Sequence, residues 1–135
     1  MMNDAAGDVV IAGGLATAGP GGSVSVSSGG SADRSSGFLL MESTDSGISG
    51  VSGDILVRTG KATAGTSGDI NVRSGASTNG KGGGILLAVG SGDTGDGGDI
   101  VLVGGTSTAN SKRGGGIIIS GGIGASPNTV NGGDG

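Results

Sequence analysis

Acidic side chains are the residues whose type and spacing could do chemistry in this sequence. Asp93, Asp96 and Asp99 lie close together in a glycine-rich stretch. Carboxylate oxygens are the ligands that Ca²⁺ prefers in proteins, so these three residues are candidate calcium ligands. The alternative interpretation is that they are turn-forming aspartates on a solvated surface. Both interpretations remain open, and no cofactor other than calcium is expected.

Two further aspartates are each followed, four residues later, by an arginine. Asp54 precedes Arg58, and Asp69 precedes Arg73 in a matching segment. Stacked aspartates would repel each other, and the arginines could offset that repulsion. The pattern favours a surface charge ladder.

Threonines recur at a similar spacing along the chain, at Thr17, Thr63, Thr78 and Thr108. A flat column of threonines could order water, as ice-binding proteins do. Ala32, Gly47, Asp93 and Ala125 interrupt the column, which favours an ordinary solvated surface instead.

Enzymatic chemistry is not supported by the composition. The chain has no His and no Cys, which excludes histidine acid–base catalysis and thiol nucleophiles. The glycine triplets at 82–84 and 114–116 are not followed by the Lys-Ser/Thr of a phosphate-binding loop. We therefore expect a protein that is not an enzyme.

Charge and hydropathy exclude other classes. The net charge is −4 and Phe38 is the single aromatic residue, so a nucleic-acid partner, which would need a basic surface with stacking rings, is not expected. No apolar run approaches the roughly 20 residues of a membrane span. The first residues lack the basic and apolar segments of a signal peptide.

The elements that must position these side chains follow from a repeat. Eight short aliphatic runs each begin after a glycine, and these glycines are separated by 15 to 17 residues. They are Gly7, Gly22, Gly37, Gly53, Gly68, Gly83, Gly98 and Gly115. Such a period is the signature of a repeat array. Each glycine is taken below as position 0 of repeats 1 to 8.

Positions 2 and 4 are occupied by aliphatic residues or Met in every repeat. This period of two predicts a short strand with both positions on one face. A strand this short cannot bury itself, and 15 residues are too few for a helical crossover. The sequence therefore predicts an all-β parallel β-solenoid (β-helix) of about eight rungs of ~15 residues with a flattened, two-sided cross-section. Glycines at positions 7 and 12 are expected to form its corners, with positive φ.

The segments 53–60 and 68–75, Gly-Asp-Ile-x-Val-x-x-Gly, and the segment 21–29 resemble the Gly/Ser-rich, short-rung parallel β-solenoids of surface proteins, adhesins and fibres. The resemblance implies a structural or adhesive protein that is extracellular or surface-exposed. We expect residues 1–6 to be a leader or partial rung, residues 7–122 the solenoid, and residues 123–135 a partial rung with a tail.

Position 3 should point away from the solenoid interior, yet it is apolar in six repeats. An exposed apolar stripe commonly marks an interface; ordinary β-propensity on an exposed sheet is the alternative. The interface candidates are Val10, Leu40, Leu56, Leu86, Val101 and Ile118.

The functional hypothesis is a rod segment of a fibre or filament that associates laterally or end to end. Its partners would be copies of itself or other parts of a longer chain, of which the sequence would be a fragment. The alternative hypothesis is a flat-face binding module for ice, a glycan, or a calcium or mineral surface.

Overall fold

A computed structural model describes residues 6–124, and this part of the chain contains no helix and no strand. The predicted all-β parallel solenoid, or β-helix, with its stacked rungs and two-sided cross-section, is therefore wrong. The terminal segments predicted at 1–6 and 123–135 lie almost entirely outside the described residues.

The chain divides into two parts that cluster separately, Met1–Ile70 and Asn71–Gly135. The repeat region predicted for residues 7–122 contributes to both parts. Within each part, the aliphatic runs are irregular backbone joined by loops that contain a bend.

The bends keep the period of the sequence. Six bends and one turn begin 15 or 16 residues apart, always 10 or 11 residues after the first glycine of a repeat. They cover residues 17–19, 32–34, 48–50, 63–65, 78–80, 93–95 and 109–111. The repeat therefore governs where the backbone changes direction, although it does not form rungs.

Left-handed backbone is confined to these bends. Gly65 and Gly95, both at position 12, have φ of +103° and +87°, which glycine adopts without steric penalty. Asn79 and Ser111 have φ of 62° and 59° in two other bends. Within residues 6–124, the position-7 glycines do not have positive φ, so the corners predicted at position 7 are wrong and those at position 12 are correct at Gly65 and Gly95.

Each loop is closed at its base by a contact that we call the neck, between position 6 of one repeat and position 0 of the next. A Cβ placed on the position-0 glycine would meet the position-6 side chain, as for Gly37 against Ser28 Cβ at 3.5 Å and Gly68 against Thr59 Cγ2 at 3.6 Å. At Gly98 the distance to Val89 Cγ1 is only 2.9 Å. Glycine is required at position 0 because the neck leaves no room for a side chain.

Single hydrogen bonds hold several necks. The amide N–H groups of Gly22, Gly37 and Gly115 donate to carbonyl oxygens eight to ten residues earlier, at 2.8 to 2.9 Å. Hydroxyl groups at position 6 add to this, because Ser28 and Ser74 donate to the carbonyl oxygens of the glycines opposite them, at 2.9 and 2.8 Å. One or two bonds at each of these necks do not make the ladder that defines a sheet.

The absence of a hydrophobic interior explains the failure of the solenoid prediction. Within residues 6–124, no hydrophobic side chain is buried. The whole chain exposes 13799 Å², whereas a folded monomer of this mass exposes about 6,100 Å² and its unfolded chain about 17,800 Å². Few aliphatic side chains per repeat cannot offset the conformational entropy lost by ordering a glycine-rich chain.

A trace of the predicted two-sided pattern remains in the aliphatic runs. From repeat 2 to repeat 8, position 2 is exposed by 50 to 61 %, whereas the position-3 candidates are exposed by 60 to 92 %. The alternation that the sequence predicted therefore biases the direction of side chains without creating an inside.

Candidate assembly surface

A wide apolar cleft lies in the part Met1–Ile70, with a volume of about 870 Å³. Its aliphatic walls come from repeats 1, 3 and 4, and its lining residues are Val9, Ile11, Leu40, Met41 and Ile55. The lining side chains remain more than half exposed. The cleft is thus an apolar surface open to solvent and not an internal cavity.

Two carboxylates, Glu42 and Asp54, also line this cleft, and no cationic side chain does. Glu42 additionally lines a smaller polar cavity of about 410 Å³ with Ser43, Thr44 and Asp45. The apolar walls therefore meet an acidic edge. Such an edge favours a partner that combines aliphatic groups with a positive charge.

The position-3 interface candidates are all exposed. Val10, Leu40, Leu56, Leu86, Val101 and Ile118 lie among the described residues, with exposed fractions from 60 to 92 %. Leu40 alone of these six lines the cleft. The structure therefore places one predicted interface residue at the apolar concavity and leaves the others on open loops and runs.

The calcium candidates do not come together as a ligand set. Asp93 lies in the bend 93–95, and its carboxylate accepts a hydrogen bond from the Thr94 hydroxyl at 3.3 Å. Within residues 6–124, no group of three or more acidic side chains is arranged to hold a metal ion. Asp93, Asp96 and Asp99 therefore remain a sequence prediction without a formed site.

The threonine column does not lie on a flat strand. Thr17, Thr63 and Thr78 each occupy the first residue of a bend, and Thr108 directly precedes the turn 109–111. A regular water-ordering array needs these side chains on an extended, repeating surface. The local backbone here places them at changes of chain direction instead.

Sequence reasoning missed most of the residues that line the cleft. Val9, Ile11, Met41 and Ile55 occupy positions 2 and 4, which were assigned to an interior. The composition carried the relevant signal: a chain with 36 glycines and one aromatic residue lacks the bulk to cover its own aliphatic groups. Every aliphatic run was therefore a surface candidate, not only position 3.

No helix suited to crossing a membrane occurs in the described part of the chain. Comparison of the chain with protein-family models, with curated proteins and with solved structures gave no match.

Proposed function

We propose that this chain is a structural, self-associating protein whose aliphatic runs become buried only between copies. The single observation that supports this function is the exposure of the aliphatic side chains in every run. Exposed apolar patches of this extent are unfavourable in water and commonly mark interaction surfaces. Other copies of the chain carry the same runs at the same spacing, so they offer matching surfaces.

The runs have the composition of segments that pair between molecules. Residues 100–103, Ile-Val-Leu-Val, and residues 117–119, Ile-Ile-Ile, combine high β-propensity with neutral side chains and no proline. Such segments pair in extended sheets when many chains stack, because each backbone group then finds a partner above and below. In the single chain these runs lack strand partners, and association would provide them.

The glycine-rich loops support the same function. They carry the bends and the necks, so they separate successive runs at constant intervals. A copy that aligns with one run is thereby brought near the next. Many weak contacts along one chain then act together, because each later contact forms at high effective concentration.

Sedimentation velocity and far-UV circular dichroism, recorded together over a wide concentration range, test this function. We expect a monomer with an irregular-coil spectrum at low concentration. Larger species with a β-sheet spectrum should form as the concentration rises, with an X-ray spacing of about 4.8 Å in the pellet. A chain that stays monomeric at high concentration would refute the proposal.

A variant in which Ile117, Ile118 and Ile119 are all replaced by Ser serves as the disrupted form. A matched control replaces three loop residues, Thr106, Ser107 and Thr108, by Ala, which changes as many side chains without removing an aliphatic run. The first variant should need a higher concentration to assemble, and the second should not.

A further inference from the structure

We propose that the apolar cleft of repeats 1, 3 and 4 receives the Ile70–Arg73 run of a second copy, with Arg73 facing the acidic edge formed by Glu42 and Asp54. This inference rests on the proposed self-association and specifies its register. It commits to one occupant, a second copy of this chain.

Charge complementarity selects the occupant. Position 5, the residue directly after each aliphatic run, is charged in only three repeats: Glu42 in repeat 3, Arg58 in repeat 4 and Arg73 in repeat 5. Glu42 lines the cleft together with Asp54. A run that ends in arginine therefore matches the cleft in both respects, aliphatic groups against its walls and a cation against its edge.

Of the two runs that end in arginine, the run in repeat 5 is the better occupant. Repeat 4 already forms the cleft wall through Asp54 and Ile55. In repeat 5, Ile70 and Val72 are aliphatic and Asn71 between them is polar. An extended chain places alternate residues on opposite sides, so Ile70, Val72 and Asn71 would give one apolar face and one solvated face.

The area available for burial on this run supports the assignment. Ile70 and Val72 are 53 and 71 % exposed, so both can lose accessible surface on docking. The cleft volume of about 870 Å³ falls in the range of sites that enclose ligands of several side chains.

Because the cleft and the run are different surfaces, the contact is heterologous. Each copy keeps a free cleft at one side and a free run at the other. Such contacts propagate into open assemblies unless the rotation happens to close a ring. The register thus gives a physical basis for growth of a filament by addition of successive copies.

Charge reversal at both sides of the contact tests the register. Glu42→Arg places an arginine opposite Arg73, and Arg73→Glu places a glutamate opposite the acidic edge. Each variant alone should assemble about tenfold more weakly than the original chain, because an exposed attraction becomes a repulsion of similar size. At high salt the difference should shrink, since the Debye length at 1 M is about 3 Å.

Mixing the two variants distinguishes contact between copies from contact within one chain. In the mixture, Glu42→Arg clefts meet Arg73→Glu runs and the unaltered cleft of one variant meets the unaltered run of the other, so assembly should recover. A contact within one chain cannot be restored by mixing. Failure of the mixture to recover would overturn the proposed register.

Arg58→Glu is the matched control, because it makes the same charge change at the same repeat position. It should assemble at least as well as the original chain. If Arg58→Glu and Arg73→Glu weaken assembly equally, the occupant is wrong while self-association stands. If the original chain does not assemble at all, the proposed function itself is wrong.

Discussion

Replacing Leu56 and Leu86 together by Asp should separate folding of the single chain from its assembly. Both side chains occupy position 3 of their repeats and are 72 and 88 % exposed. The single chain therefore loses little packing when they change. An assembly that covers them loses the apolar burial of two leucines and must also desolvate two carboxylates.

The exposed fractions give the size of the effect. Full burial of a leucine side chain contributes about 1.5–3 kcal/mol. The fractions of Leu56 and Leu86 that remain to be buried then correspond to about 2.4–4.8 kcal/mol for the pair on the same scale. Since each 1.4 kcal/mol is about a factor of ten, the concentration needed for assembly should rise by about two orders of magnitude or more.

Sedimentation velocity measures that concentration, and amide chemical shifts in NMR spectra of the dilute monomer report whether the single chain is unchanged. The matched control is Ser25→Asp with Asn71→Asp, which alters the same repeat position and adds the same two negative charges without removing an aliphatic group. Equal assembly of the Leu56 and Leu86 variant and the control would refute the role of position 3 in assembly.

Three further predictions concern the loops. Gly22→Ala should open its neck, because the added Cβ would lie 2.8 Å from the Gly14 nitrogen, whereas Gly14→Ala meets nothing within 4 Å; faster amide exchange at residue 22 in the first variant alone is the expected result. Gly65→Val should depopulate the left-handed bend about tenfold, at a cost of about 1–2 kcal/mol, and φ-dependent NMR couplings should leave the 63–65 bend unaltered in Gly60→Val. Ser74→Ala should remove the hydroxyl donor at its neck, so hydrogen exchange that is no faster around residue 83 would contradict that contact.

The repeat was predictable from the sequence because chain direction depends on local residues. Gly65 and Gly95 adopt positive φ at the corner position that the period assigned to them. The bends follow the same period throughout residues 17–111. Local conformational preference acts within a few residues, so a pattern in the sequence carries over to the backbone.

The rungs were not predictable because stacking depends on long-range packing. Ile55 and Ile70 fit a strand face by type and spacing, yet both remain more than half exposed. The aliphatic pattern indicates which residues prefer to be covered, and it does not indicate whether the same chain covers them. The acidic cleft likewise needed the structure, because Val9 and Glu42 belong to repeats that are far apart in sequence.

The necks also bear on how an assembled material would respond to a pulling force. The loop from Gly14 to Gly22 is closed by one backbone hydrogen bond of 2.9 Å, yet its eight residue steps span about 27 Å when fully stretched. One such bond contributes about 1 kcal/mol, so it yields before a buried aliphatic run is pulled out. Tension would first draw out this hidden length and the loop would close again on release, which makes the glycine-rich segments the elastic component between the joined runs.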